Sequence, residues 1–144
     1  MRIDGLWALF DDGVLRPIIH GEIQADQGRW VKAPFLVDTG ADRTVFSAAI
    51  LARLGLQSIA MQEGMSGVGG QVDAVIVTTQ VRLTHETASK VIFRGQFAAV
   101  TALEALDISV LGRDITRLFA VIVDQPGTIV CLLRQRHRYM IAQD

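Results

Sequence analysis

Cysteine is nearly absent: Cys131 is the only one in 144 residues, so no disulfide can form within the chain. Its setting, Ile129-Val130-Cys131-Leu132-Leu133, is that of a buried strand thiol, whereas a nucleophilic thiol needs a nearby base and some exposure. Excess charge is absent too. Fourteen Lys and Arg against fifteen Asp and Glu leave a net charge of −1, which offers no general attraction to nucleic acid or an anionic membrane. The basic stretch Arg134-Gln135-Arg136-His137-Arg138 is the local exception. It lacks aromatic interleaving and reads as a solvated tail. No apolar run approaches the roughly 20 residues of a membrane-spanning helix, and MRIDGLWALFDDG lacks the apolar stretch of a signal peptide. The three histidines, His20, His85 and His137, stand far apart without metal-ligand spacing. These absences predict a soluble, cytoplasmic protein with no metal, no cofactor, no nucleic-acid partner and no membrane partner.

Half of the residues are apolar, enough for one sizeable core in a chain of this length. Their arrangement is mostly that of short strands broken by turn signals. Leu6 to Phe10 and Val14 to Ile23 flank Asp11-Asp12-Gly13, a hairpin signal. Asp26-Gln27-Gly28 marks a turn before a strand over Arg29 to Val37. Ser47 is placed to cap a helix through Leu54, and Gly55 to end it. A strand is predicted near Gln57 to Gly64, followed by the cluster Gly67-Val68-Gly69-Gly70. Within Gln71 to Leu83, the residues Val75, Val77, Thr79, Val81 and Leu83 share one face. Lys90 to Thr101 reads as a strand, Ile108 to Leu111 as a short apolar run, Ile115 to Phe119 as a short helix. Ala120 to Val123 and Thr128 to Leu133 form a last hairpin around Asp124-Gln125-Pro126-Gly127. The fold class is therefore all-β with one clear helix and one short one. A faint repeat links Phe35 to Asp42 with Ile108 to Asp114, each running from apolar residues through glycine to an acid.

The stretch FLVDTGADRTVFS, residues 35–47, sets one polar island among apolar neighbours. Burying an unpaired carboxylate is costly, so Asp38 needs a partner or a task. Asp38-Thr39-Gly40 follows an apolar strand, continues as Ala41-Asp42 and precedes the Ser-capped helix. Downstream lie Ser66-Gly67-Val68-Gly69-Gly70 and then Val110-Leu111-Gly112-Arg113-Asp114.

In this order, these motifs resemble the retroviral-type aspartic proteases, the retropepsins, from about Val31 to Leu133. The resemblance implies a closed retropepsin-like β-barrel protomer with one or two short helices and a flap hairpin. Residues 1–144 would form one domain, with 1–30 an extra N-terminal hairpin region and 134–144 a polar tail. It also implies an aspartic endopeptidase that needs no metal or covalent nucleophile. Two carboxylates sharing one proton activate a water and protonate the carbonyl oxygen. Asp38 would be one of them, Thr39 would position the loop across the pair, and Gly40 would let the backbone approach the substrate. Ala41 and Asp42 would contact the substrate backbone, with Asp42 also pairing with Arg113. Gly112 would let its strand pack beneath the catalytic loop. Gly67, Val68, Gly69 and Gly70 would form the tip of the lid.

Taken without the resemblance, each feature has a plainer role. Asp42 with Arg113 is a surface ion pair, the glycine cluster an ordinary hairpin tip, and Asp107, Asp114 and Asp124 are caps or turn formers. Trp7 and Trp30 read as packing residues. The chain holds no second Asp-Thr-Gly or Asp-Ser-Gly, so the catalytic pair that the resemblance implies would need its second carboxylate from another copy. A two-fold homodimer places Asp38 opposite Asp38 and explains why the carboxylate points among apolar residues. A peptide or protein is then the substrate. The alternative is a retropepsin-like peptide-binding or dimerisation module with little or no proteolysis.

Overall fold

The computed structural model describes residues 1–67, 69–134, 140 and 142. Val68 of the glycine cluster and residues 135–138 of the basic stretch lie outside the described residues.

The chain opens with β1 (Arg2–Asp4) and β2 (Leu6–Leu9), then turns into β3 (Leu15–Gln24). The β2–β3 hairpin forms at the Asp11-Asp12-Gly13 signal. Gly13 takes the positive φ of +79° there, and Asp12 accepts from the Val14 amide at 3.0 Å. Arg16 also binds Asp12 and holds its carboxyl down at about 2. After the 26–28 turn comes β4 (Trp30–Val37), then β5 (Val45–Phe46) and helix α1 (Ala48–Leu54). The helix ends fall where the sequence sets them. Ser47 Oγ accepts from the Ile50 amide at 3.3 Å, and Gly55 closes the helix with φ 63°.

The strand predicted over Gln57 to Gly64 is reduced to β6 (Ile59–Ala60), which pairs with two residues of a longer strand, Ile76 and Val75. The glycine cluster folds as a hairpin of β7 (Met65–Gly67) and β8 (Gly70–Val72). The long antiparallel pair β9 (Ala74–Thr84) and β10 (Lys90–Val100) follows. β11 (Ser109–Leu111) leads into α2 (Arg113–Thr116), which starts two residues earlier than the helix predicted at Ile115. The last hairpin, β12 (Ala120–Asp124) with β13 (Ile129–Leu133), forms as predicted. In its turn, Asp124 accepts the Gly127 amide at 2.9 Å.

Six strands close into a barrel in the order β3-β4-β11-β5-β10-β9, with β9 returning to β3. Alternation along each strand decides which residues point inside. Ile19 and Ile23 of β3, Val31, Ala33, Phe35 and Val37 of β4, Val77, Val81 and Leu83 of β9, and Phe97 of β10 form one buried cluster. Phe46 packs between Phe35 and Phe97, with ring centroids 6.3 and 5.5 Å away. Helix α1 adds Ile50 and Leu54 to this core. Thr79 is the polar inward residue of β9, and its hydroxyl donates to the Gln24 carbonyl at 2.6 Å.

The first thirty residues are woven into this architecture. β3 is a stave of the barrel, and β1 pairs with β13 to complete a separate sheet in the order β1-β13-β12. Glu86, in the β9–β10 turn, accepts the Arg2 amide at 2.6 Å while its own amide donates to the Arg2 carbonyl at 2.9 Å. Cys131 is buried in β13, and burial pushes its thiol up. No helix among the described residues is long and apolar enough to cross a membrane.

The two segments of the faint repeat lie side by side. β4 and β11 run parallel, with Phe35 opposite Ser109, Leu36 opposite Val110 and Val37 opposite Leu111. Both loops that follow therefore emerge at the same end of the barrel.

Candidate active site

Asp38 is the first residue beyond β4. Its amide donates to the Leu111 carbonyl at 3.2 Å, continuing the β4–β11 ladder by one bond. The backbone then turns sharply: Ala41 N donates to the Asp38 carbonyl at 3.2 Å, and Gly40 N donates to Asp38 Oδ1 at 2.9 Å. One carboxylate oxygen is thus fixed by a backbone donor. Asp38 is half-buried, and Thr39 and Gly40 are exposed. The polar island is therefore not sunk in the core. Val37 is the last inward residue, and the loop carries the carboxylate out at the rim.

The second loop clamps the first. Arg113 N donates to the Ala41 carbonyl at 2.8 Å, and Arg113 Nη1 donates to the Thr39 carbonyl at 3.0 Å. Its other terminal nitrogen, Nη2, pairs with Asp42 Oδ1. That ion pair is open to water, with the Arg113 and Asp42 side chains 50% and 79% exposed. Arg113 therefore holds the loop through two bonds to main-chain carbonyls and one exposed charge pair.

Gly112 sits where the loops cross. A Cβ there would run into the Arg43 carbonyl group and lie 2.7 Å from the Thr44 amide nitrogen, so any side chain would force the loops apart. Beside it, fully buried Thr44 accepts the Gly112 amide at 3.1 Å and donates its hydroxyl to Asp114 at 2.7 Å. Asp114 also accepts the Thr44 amide at 2.9 Å and the Ile115 amide at 2.9 Å. Sequence alone gives Asp114 a local role as a cap or turn former. It does serve the first turn of α2, and it also ties that helix to the Asp38 loop. No sequence signal marks this partnership, because Thr44 and Asp114 are 70 positions apart. Ser109 makes a similar hidden link, its hydroxyl accepting the Ser47 amide at 3.0 Å.

An apolar floor extends sideways from Asp38 on the outer face of the barrel. Leu36, Val110, Val45 and Ala98 are successive cross-strand partners. Met61, Met65 and Val72, at the root of the glycine hairpin, pack against Val45, Ala98 and Val100. The hairpin tip itself is open: Gly67, Gly69 and Gly70 are exposed, and nothing lies within 4 Å of where their Cβ atoms would be. Gly70 uses a φ of +97°, which an L side chain rarely adopts. The structure thus gathers Asp38, Thr39, Gly40, Ala41, Asp42, Gly112 and Arg113 into one crossed-loop unit. It sets the glycine hairpin on an apolar base that adjoins β5.

Residues 21–115 match the family model described as aspartyl protease, and the chain belongs to that family. Its fold is that of the retropepsin-like enzymes. It is similar to a retropepsin-like aspartic protease from Rickettsia conorii, with 21% identity, 92% of this chain and 98% of that chain covered, and a TM-score of 0.60. It is also similar to the EIAV protease complexed with the inhibitor HBY-793, with 23% identity, 76% and 92% coverage respectively, and a TM-score of 0.53. No curated protein sequence matches the chain.

Proposed function

We propose that this protein is an aspartic endopeptidase whose active site is assembled from two copies of the chain. The observation that carries the proposal is the fixed carboxylate of Asp38. It is held at the barrel rim by the Gly40 amide at 2.9 Å, on a loop clamped by Arg113, and each chain has one such Asp-Thr-Gly. In a two-fold dimer the two Asp38 carboxylates face each other and share one proton. The ionised one takes a proton from a water, whose oxygen bonds to the peptide carbonyl carbon. The protonated one gives its proton to the carbonyl oxygen, and a tetrahedral diol results. The C–N bond then breaks as the nitrogen receives a proton and the carbonyl reforms.

The remaining residues hold the substrate. The exposed Thr39 hydroxyl bridges to the partner's loop. Gly40 and Ala41 let an extended peptide approach the carboxylates, and Asp42 accepts from its backbone. The glycine hairpin closes over it as a flap, offering backbone donors from Gly67, Gly69 and Gly70 without obstruction. Residues 1–144 work as one domain. The lone buried thiol, with its raised pKa, suits a reducing cytoplasm.

Asp38→Asn tests the reading. It keeps the side-chain shape but cannot act as a base, so cleavage of a denatured protein mixture should vanish while circular dichroism is unchanged. Wild-type activity per chain should rise with concentration and saturate with the sedimentation midpoint of the dimer. Its pH profile should be a bell, since the active pair carries one proton. Full activity in folded Asp38→Asn would exclude the mechanism. A stable wild-type dimer that binds peptides but cleaves none would instead make the chain a binding module.

A further inference from the structure

A gap interrupts the sheet along one edge of β9. β10 runs beside the whole of β9, from Ala74 to Thr84. On the other edge, β6 pairs with Val75 and Ile76, and β3 pairs with Val81, Arg82 and Leu83. Among the described residues no strand lies beside residues 77–80 on that edge. The Ala74 carbonyl points to that edge, since it accepts the Met61 amide at 3.0 Å. Main-chain direction alternates along an antiparallel strand, so Thr78, four residues on, turns its amide and carbonyl the same way. Thr78 is exposed. A cleft of about 320 Å³ opens here, lined by Gln24, Ala25 and Leu56 and by Thr79 with its cross-strand partner Gly95. Nothing in the protomer requires a glycine at position 95. Its φ lies outside the left-handed region, and nothing stands within 4 Å of where a Cβ would be. Glycine inside a strand weakens it and often marks close approach by a ligand or another backbone. Arg94 also lines the cleft, is exposed, and forms no ion pair among the described residues.

We propose that this gap is a strand-addition site for an extended segment of another polypeptide that carries an acidic side chain. The class of ligand follows from the groups present. In an antiparallel seating, a residue opposite Thr78 exchanges two main-chain hydrogen bonds with it. The next residue, opposite Thr79, turns its side chain to the Thr79–Gly95 face, where the missing Cβ leaves room. The side chain opposite Thr78 lies on the other face. Arg94 shares that face through its pairing with Gln80, and its guanidinium takes a carboxylate in charge-assisted hydrogen bonds. The cleft shares no residue with the Asp38 loop or the glycine hairpin, and the inference does not depend on the protease reading.

The test selects a phage-displayed library of random heptapeptides on the wild type and depletes it on Gly95→Val. Valine fits the open space at this position and suits a strand, so the variant should keep its circular dichroism and its urea midpoint. The surviving peptides should be enriched in Asp or Glu. As synthetic peptides they should bind Gly95→Val roughly tenfold more weakly than the wild type. N-methylation of the residue that pairs with Thr78 should weaken binding to the wild type by a similar, roughly tenfold factor. Arg94→Gln should remove the preference for Glu over Gln in matched peptides, and salt should weaken that preference in the wild type. Bound peptide should slow amide hydrogen exchange at residues 77–80. If Gly95→Val folds poorly, the N-methylated peptides and the exchange measurement decide the matter on the wild type alone. Indifference to N-methylation at every position overturns the proposal, as does slowed exchange confined to the Asp38 loop or the glycine hairpin. So does a failure to find any peptide that distinguishes the wild type from a folded Gly95→Val. Self-association of the wild type that Gly95→Val abolishes would make the occupant a second copy and also overturn it.

Discussion

Thr44 donates its hydroxyl proton to Asp114 at 2.7 Å and accepts the Gly112 amide at 3.1 Å. One buried hydroxyl thereby joins the Asp38 loop, the glycine beneath it and the first turn of α2. Every group in this exchange has a partner, and burial makes each bond costly to lose.

Thr44→Val should therefore be strongly destabilising despite its near-identical shape. It leaves the Gly112 amide without its acceptor and removes one donor to Asp114. The expected loss is roughly 1–3 kcal/mol, read from urea unfolding with the slope unchanged. A loss near zero would mean that water replaces the hydroxyl and that the link is dispensable.

Gly112→Ala tests the crossing of the loops by volume rather than by hydrogen bonding. Its methyl group would meet the Arg43 carbonyl, which is main chain and cannot swing aside. A penalty of about 1–3 kcal/mol is expected, with catalytic loss in any dimer that still forms. A variant as stable and as active as the wild type would show that the loops separate freely.

The Asp42–Arg113 pair should behave differently. With the Asp42 side chain 79% exposed, a double-mutant cycle within the protomer should give a coupling of about 0.2–1 kcal/mol. Arg113→Ala should cost more than Asp42→Ala, because it also removes the bond to the Thr39 carbonyl. Equal costs would indicate that the carbonyl contact contributes nothing.

Glu22 supplies a pH prediction on the barrel wall. Its carboxylate receives Arg82 in a two-point contact at 3.1 and 2.9 Å and Lys90 at 3.2 Å. Hydrogen bonding from Arg82 is the chief reason that its pKa lies below the ordinary 4.5. A carboxylate with a depressed folded value adds stability that is fully present above its unfolded value. That stability is lost as pH falls through the folded value. Wild-type stability should accordingly fall as the solution is acidified below pH 4.5, and Glu22→Gln should flatten that part of the curve. Parallel acid limbs for the two proteins would remove Glu22 from the account.

Much of this molecule is written locally. Ser47 and Gly55 bound α1 because a side-chain oxygen and a left-handed glycine satisfy the helix ends within a few residues. The turn at residues 11–13 and the hairpin closed by Asp124 and Gly127 are equally short-range. Alternation of Val75, Val77, Thr79, Val81 and Leu83 was partly informative: Val77, Thr79, Val81 and Leu83 are buried, and Val75 is half-buried. The Asp-Thr-Gly motif, its following helix and the later Gly112-Arg113 were likewise legible, as was the pairing of Arg113 with Asp42.

Local sequence thus set most of the long strands, the turns, the main helix and the carboxylate loop, because these depend on neighbours along the chain, whereas β1, β5 and the break between β8 and β9 carry no such signal. Tertiary structure alone decided the parallel seating of β4 on β11, the closure of β9 onto β3 and the docking of β1 on β13. It also decided the bond between Thr44 and Asp114, and hence where α2 begins. It shortened the strand near residue 60 to the two residues that find a partner. Such features depend on groups brought together across long stretches of chain, where a hydroxyl or a backbone amide finds its partner only after the barrel has closed.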